Sequence, residues 1–170
     1  MSRLIVIISL VCAGAAQATT VDDFWTQCLP SLSAPPADAY YRVRSIGSSP
    51  QAQEIITQLI LAELKTGTFS SPWIYEGDRA ITPVVGGYSV LVDSTDAPRA
   101  VLKTTAVKTI PFDQITEKET AIDGPAVRPL DVWRSVHVKF FTNELTARSK
   151  SFVDDMPVTV EKFAIVCRAK

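Results

Sequence analysis

Two cysteines constrain this chain more than any other feature of its sequence. Cys28 and Cys167 stand near opposite ends, so a bond between them would force the first and last folded segments to meet. Disulfides persist in oxidising compartments, and the N-terminus points to one. Met1-Ser2-Arg3 is a short basic start, Leu4 to Val11 is an apolar run broken only by Ser9, and Ala16-Gln17-Ala18 has the small-residue spacing of a cleavage site. Residues 1–18 therefore read as a secretory signal peptide, since the run falls short of the ~20 apolar residues of a membrane span. The expected mature protein begins near Thr19, is secreted or periplasmic, and has no membrane span. Cys12 leaves with the leader, and Cys28–Cys167 is the expected disulfide. A loop that long is stabilised by ~5 kcal/mol in the chain-entropy account.

Removing the leader leaves roughly 150 residues, enough for one domain with a proper core. The chain is 46% hydrophobic and 21% charged, ordinary for a globular protein. Its formal net charge is −1, and Arg3 departs with the leader. That balance excludes a broad nucleic-acid-binding coat, so such a contact would need a local patch or a small ligand. His137 is the only histidine, which excludes a zinc site of the usual ligand set. Neither cysteine has a histidine beside it. No metal and no cofactor is expected, and the oligomeric state is left open.

The pattern along the chain is mixed. Val21 to Leu29 suits a short helix anchored by Phe24 and Trp25, and residues 19–39 form an N-terminal segment and Pro-rich linker. Tyr40 to Ile46 alternates like a strand. Ser49-Pro50 is a helix start, a serine cap before a proline, and Ala52, Ile55, Ile56, Leu59, Ile60 and Leu64 follow at helical spacing. Thr68 to Ile74 reads as extended. Tyr88–Val92 and Arg99–Thr109 form a hairpin around an Asp- and Pro-rich turn. Phe112 to Ile122 suggests short helical turns. Leu130 to Leu145 is the clearest late helix, carrying Trp133, His137 and Phe141. Val158 to Cys167 is a last strand with a parity shift that suggests a bulge. The fold class is α+β, with a small barrel or curled sheet.

The candidate chemistry lies at the exit of the first long helix, where Lys65, Thr66, Thr68 and Ser70 crowd around Gly67. A lysine sheltered by apolar walls loses part of its charge and can act as a base, with a nearby threonine hydroxyl as nucleophile. The same residues also suit a solvated lysine and a threonine capping a helix end, and the sequence leaves both open. Asp123, in a Gly/Pro loop, could orient the lysine or cap a turn. Trp73, Tyr75 and Tyr88 could stack on a base. Arg99, Lys103 and Lys108 share one hairpin strand and could contact phosphate.

Four segments together resemble the ASCH domain family in its longer bacterial form, from about Tyr41 to Val166. They are Leu59-Ile-Leu-Ala-Glu-Leu-Lys-Thr-Gly-Thr68; Gly86 to Asp93 with Ala100 to Val107; Ile110-Pro-Phe-Asp-Gln-Ile-Thr-Glu117; and Leu130 to Phe141 with Asp155 to Glu161. The resemblance implies an ASCH-like domain over residues 40–170, built as a small PUA-like β-barrel with surrounding helices and associated with RNA binding. Some members are similar to ribonucleases, and a short-form branch hydrolyses acetylated cytidine with a Lys and a Thr of a K-x-x-T motif and a later Glu. By position these roles fall on Lys65, Thr68 and Asp123 as catalytic residues. Thr66, Ser70, Trp73, Tyr75, Arg99 and Lys103 are the matching candidates for ligand binding. The family's glycine before the lysine is replaced by Glu63-Leu64. The leading expectation is an exported module binding RNA or a nucleotide-type ligand, with ribonuclease activity as one option. A nucleoside amidohydrolase and a non-catalytic binding module are the alternatives.

Overall fold

The computed structural model describes residues 19–32, 41–76, 78 and 82–169. The expected leader, most of the Pro-rich linker and the centre of the loop after Glu76 lie outside the described residues.

Helix α1 (Val21–Cys28) starts on Thr20, whose hydroxyl accepts from the Asp23 amide at 3.1 Å. It packs Phe24, Trp25 and Cys28 against Tyr88, Val90 and Val101 of the sheet. Cys28 is bonded to Cys167, 139 positions away. The disulfide thus holds the first helix on the last strand.

Strand β1 (Tyr41–Arg44) is followed by helix α2 (Pro50–Leu61), capped by Ser49 with Pro50 in its first turn. Strand β2 (Gly67–Ser70) is short. The chain expected to stay extended to Ile74 instead turns into the four-residue helix α3 (Pro72–Tyr75). The physical reason is local: the Ser71 hydroxyl accepts from the Trp73 amide, and Pro72 is preset for a first helical turn. The expected hairpin is present as β3 (Tyr88–Val92) and β4 (Pro98–Pro111). Its turn is held by Asp93, whose Oδ1 accepts from Thr95 and Ala97. A short helix α4 (Glu117–Thr120) carries a Thr116/Glu119 capping box, and α5 (Leu130–Thr146) and β5 (Pro157–Arg168) complete the chain.

The five strands form one mixed sheet in the order β1-β3-β4-β5-β2. The sheet is not closed: β1 and β2 are edges, and the expected barrel is an open, curled sheet. Its curl is visible in the side chains, because Arg42 and Arg44 of β1 reach Glu161 of β5 past two intervening strands. The pairing slips between Thr104 and Ala106 opposite Phe163 and Lys162, so the irregularity expected from β5 lies across the ladder on β4. Below the sheet, α5 buries Trp133, Phe141 and Leu145 against Phe69, Phe112, Val158 and Val160. The other stripe of α5, with Val136 and Phe140, faces a cleft. Among the described residues, no helix is long and apolar enough to cross a membrane.

Candidate functional site

Between the concave face of the sheet and helices α2 and α5 lies a cleft of about 820 Å³, a size that suits small ligands. Its walls are apolar, from Ala52, Ile55, Ile56 and Leu59 of α2 and Val136 and Phe140 of α5. Its floor is polar, from Arg42, Arg44, Lys65, Thr68, Ser70, Tyr75, Asp123 and Glu161.

Lys65 reaches the floor because of how α2 ends. The amides of Leu64 and Lys65 both donate to the Leu59 carbonyl, at 2.9 and 3.1 Å, and Glu63 takes a left-handed φ of 57°. Glu63 thus fills the kind of closing turn that glycine favours. Lys65 is left only 4% exposed. The next residues fasten to the loop that carries Asp123. The Thr66 amide donates to the Ile122 carbonyl at 2.9 Å, and the Thr66 carbonyl accepts from the Phe163 amide at 3.0 Å. Gly67 makes this possible, since a Cβ there would lie 2.4 Å from the Ile122 side chain and 2.5 Å from the Glu161 carbonyl. Arg128 ties the two halves together, donating to the Asp123 carbonyl at 2.8 Å and to the Leu64 carbonyl at 2.5 Å. Asp123 Oδ1 then accepts from Lys65 Nζ and from the Gly124 amide.

Burial pulls the Lys65 ammonium below its ordinary value, with the Asp123 carboxylate acting in the opposite direction. His137 flanks the pair. Its Nδ1 lies 2.9 Å from the Trp133 carbonyl, which can only accept, so Nδ1 carries the proton. Nε2 therefore presents its lone pair, 3.9 Å from Asp123 Oδ2. Burial lowers the His137 pKa to about 4, and the ring is stacked on Trp133. Tyr75 is pushed up to about 12, chiefly by burial, and stays a neutral phenol.

Thr68 stands opposite Glu161 in the β2–β5 ladder, and Ser70 opposite Thr159. Side chains paired in this way are neighbours on one face. Glu161 is itself fixed by Arg42, Arg44 and Thr104. Lys65, Thr68, Asp123, Ser70 and Tyr75 therefore meet in one cleft. The other candidates do not. Thr66 is exposed and works through its backbone. Trp73 packs on the core around Trp133 because α3 turns it there. Arg99 pairs with Asp93 at 3.0 Å, and Lys103 covers the Tyr88 ring at 5.5 Å, both outside the cleft lining. Tyr88 is buried beside Trp25. Sequence reasoning missed Arg42, Arg44, Glu161 and Arg128. The alternation Arg42-Val43-Arg44 was the available signal, since it places two guanidiniums on one face of a strand. Among the described residues, no group of three or more His, Cys, Asp or Glu side chains could hold a metal.

This fold is that of the ASCH domain. The ASCH domain family model matches residues 42–167, and the chain belongs to that family. Solved structures agree in fold. An ASCH domain from Lactobacillus crispatus JV V101 is 23% identical with a TM-score of 0.78, over 94% of this chain and 100% of that one. A protein from Enterococcus faecalis V583, of the family DUF984, is 28% identical with a TM-score of 0.75, over 87% of this chain and 88% of that one. Among curated proteins, none matches the chain significantly.

Proposed function

We propose that this protein binds a nucleotide-type ligand in the cleft, with Lys65, Asp123 and Thr68 at its floor. The observation that carries the reading is the buried Lys65–Asp123 pair, set in a cleft of about 820 Å³. A buried ion pair adds little stability over apolar residues of the same volume, so its retention at the bottom of a cleft favours a role with ligand. The ASCH domain is a PUA-like fold often linked to RNA binding, which favours the same ligand class. The leader-like pattern of residues 1–18 supports placing this binding outside the cytoplasm as part of the same proposal.

A second reading, hydrolysis of an acyl amide on a nucleoside, is favoured by Thr68 beside that pair. Thr68 Oγ would attack the acyl carbon and pass its proton to Lys65 Nζ, which burial helps to hold neutral. Breaking the C–N bond returns that proton to the leaving amine. Water then attacks the threonyl ester, releasing the acid and restoring the Thr68 hydroxyl.

The test is paired: binding of nucleosides and nucleotides, and acetate release from acetylcytidine, for the parent, Thr68→Val and Lys65→Arg. Binding should survive in both variants. Turnover should stop in both, because valine has no nucleophile and arginine does not give up its proton. A parent that binds neither nucleosides nor nucleotides removes the primary reading. A parent that binds without releasing acetate removes the second alone.

A further inference from the structure

Glu161 is encircled. It accepts from Arg42 Nη2 at 3.2 and 3.3 Å, from Arg44 Nη1 at 3.1 and 3.0 Å, and from Thr104 Oγ1 at 2.7 Å. Both carboxylate oxygens are fully engaged. Arg44, however, gives this acid a single nitrogen. Among the described residues its Nε and Nη2 have no hydrogen-bond partner, although its side chain is only 12% exposed. The guanidinium lies over the Phe163 ring at 5.6 Å, and Arg44 lines the cleft. Neither Nε nor Nη2 is among the fully buried unpartnered atoms, so both remain reachable from solvent and available to an acceptor. The charges of the cleft point the same way. Its floor carries Arg42, Arg44 and Lys65 against Asp123 and Glu161, while Lys139 and Glu144 of α5 offset each other at the wall.

We propose that Arg44, held in place by Glu161, anchors the phosphate of a mononucleotide whose base and sugar lie against the apolar walls of α2 and α5. The proposal rests on the nucleotide-type reading of the cleft and makes it narrower: a phosphorylated nucleoside, not a neutral one. A guanidinium presents parallel N–H donors that match two oxygens of one phosphate. The one guanidinium shown with unused donors offers a single phosphate site, which favours a free mononucleotide over a strand that carries a phosphate at every step. Glu161 is then a brace: it fixes the arginines without taking every donor.

The test is calorimetric titration of the full chain with AMP, CMP, GMP and UMP, with the four matching nucleosides, and with a short oligoribonucleotide. The parent is compared with Arg44→Gln and Arg44→Lys, each checked for a native melting transition. At least one mononucleotide should bind the parent roughly 10-fold or more tightly than its own nucleoside. That gap should close in Arg44→Gln and shrink in Arg44→Lys, with nucleotide affinity falling further than nucleoside affinity in both. Arg44→Lys retains a charge on Glu161 and decides the matter if Arg44→Gln does not fold. Equal affinity for nucleotide and nucleoside in the parent, or a gap that the folded variants leave intact, overturns the anchor while leaving the nucleoside-binding cleft standing. An oligoribonucleotide that binds more tightly than every mononucleotide overturns the free-nucleotide assignment. If none of the probes binds, the broader reading fails and the anchor with it.

Discussion

Two groups of cations stand on this sheet, and they differ in what they face. On β4, Arg99 pairs with Asp93, Lys103 covers Tyr88, and Lys108 pairs with Glu119, each with its own neighbour and each at least partly exposed. In the cleft, Arg42, Arg44 and Lys65 lie close together and nearly buried, with the two carboxylates Asp123 and Glu161 between them. The residue types are the same. The first group is a set of separate contacts in which the cation is reached by solvent even where its acid is buried, and such solvent-screened cations contribute little to stability. The second is one electrostatic unit in a site of low polarity, where the loss of any member leaves another charge uncompensated.

The sharpest way to break this comparison is Glu161→Gln. It should leave two guanidiniums side by side without their acid and cost about 3–5 kcal/mol, typical of a broken buried pair. Chemical denaturation measures it, and a cost below about 1 kcal/mol would place the cleft cluster with the surface pairs. Lys65→Met comes next. Removing this buried partner strands the Asp123 carboxylate and should cost roughly 3 kcal/mol, whereas the double variant Lys65→Met with Asp123→Leu should recover most of that loss. A double variant as unstable as the single one would mean that Lys65 acts through packing rather than charge.

Acidification probes the same region. The folded-state pKa of His137 is about 4, below the ordinary 6.5, so the unfolded chain binds more protons between those values. The contribution is therefore present above about pH 6.5 and is lost as pH falls towards 4, up to about 3 kcal/mol in all. Asp123 and Lys65 face the ring, with opposing effects on it. Stability measured against pH should show this slope in the parent, and His137→Phe should flatten it. The smallest effect belongs to the surface group: Lys108→Ala should cost no more than about 1 kcal/mol and leave ligand binding unchanged.

Local signals in the sequence account for much of this fold. Ser49-Pro50 opens α2, the Asp93 turn joins the hairpin, and Trp133, His137 and Phe141 mark the buried stripe of α5. The cleft floor was legible at Lys65, Thr68 and Asp123, and there mainly through a family resemblance. What the sequence could not supply is contact over long separation. Glu161 meets arginines more than a hundred residues away, and nothing local in Val158-Thr-Val-Glu161 marks a buried acid. Curl without closure depends likewise on how edge strands β1 and β2 sit, which alternation does not encode. The hairpin cations were conspicuous for the opposite reason: they are close in sequence, whereas the cleft cations are assembled from β1 and the segment after α2.

The most direct test of the cleft as the ligand site is a titration of lysine-labelled protein followed by magnetic resonance of the side-chain signals. On addition of a mononucleotide, the Lys65 signal should shift and saturate, while those of Lys103 and Lys108 stay in place. Saturable shifts at Lys103 and Lys108 with an unmoved Lys65 would contradict the account and put the ligand on the hairpin.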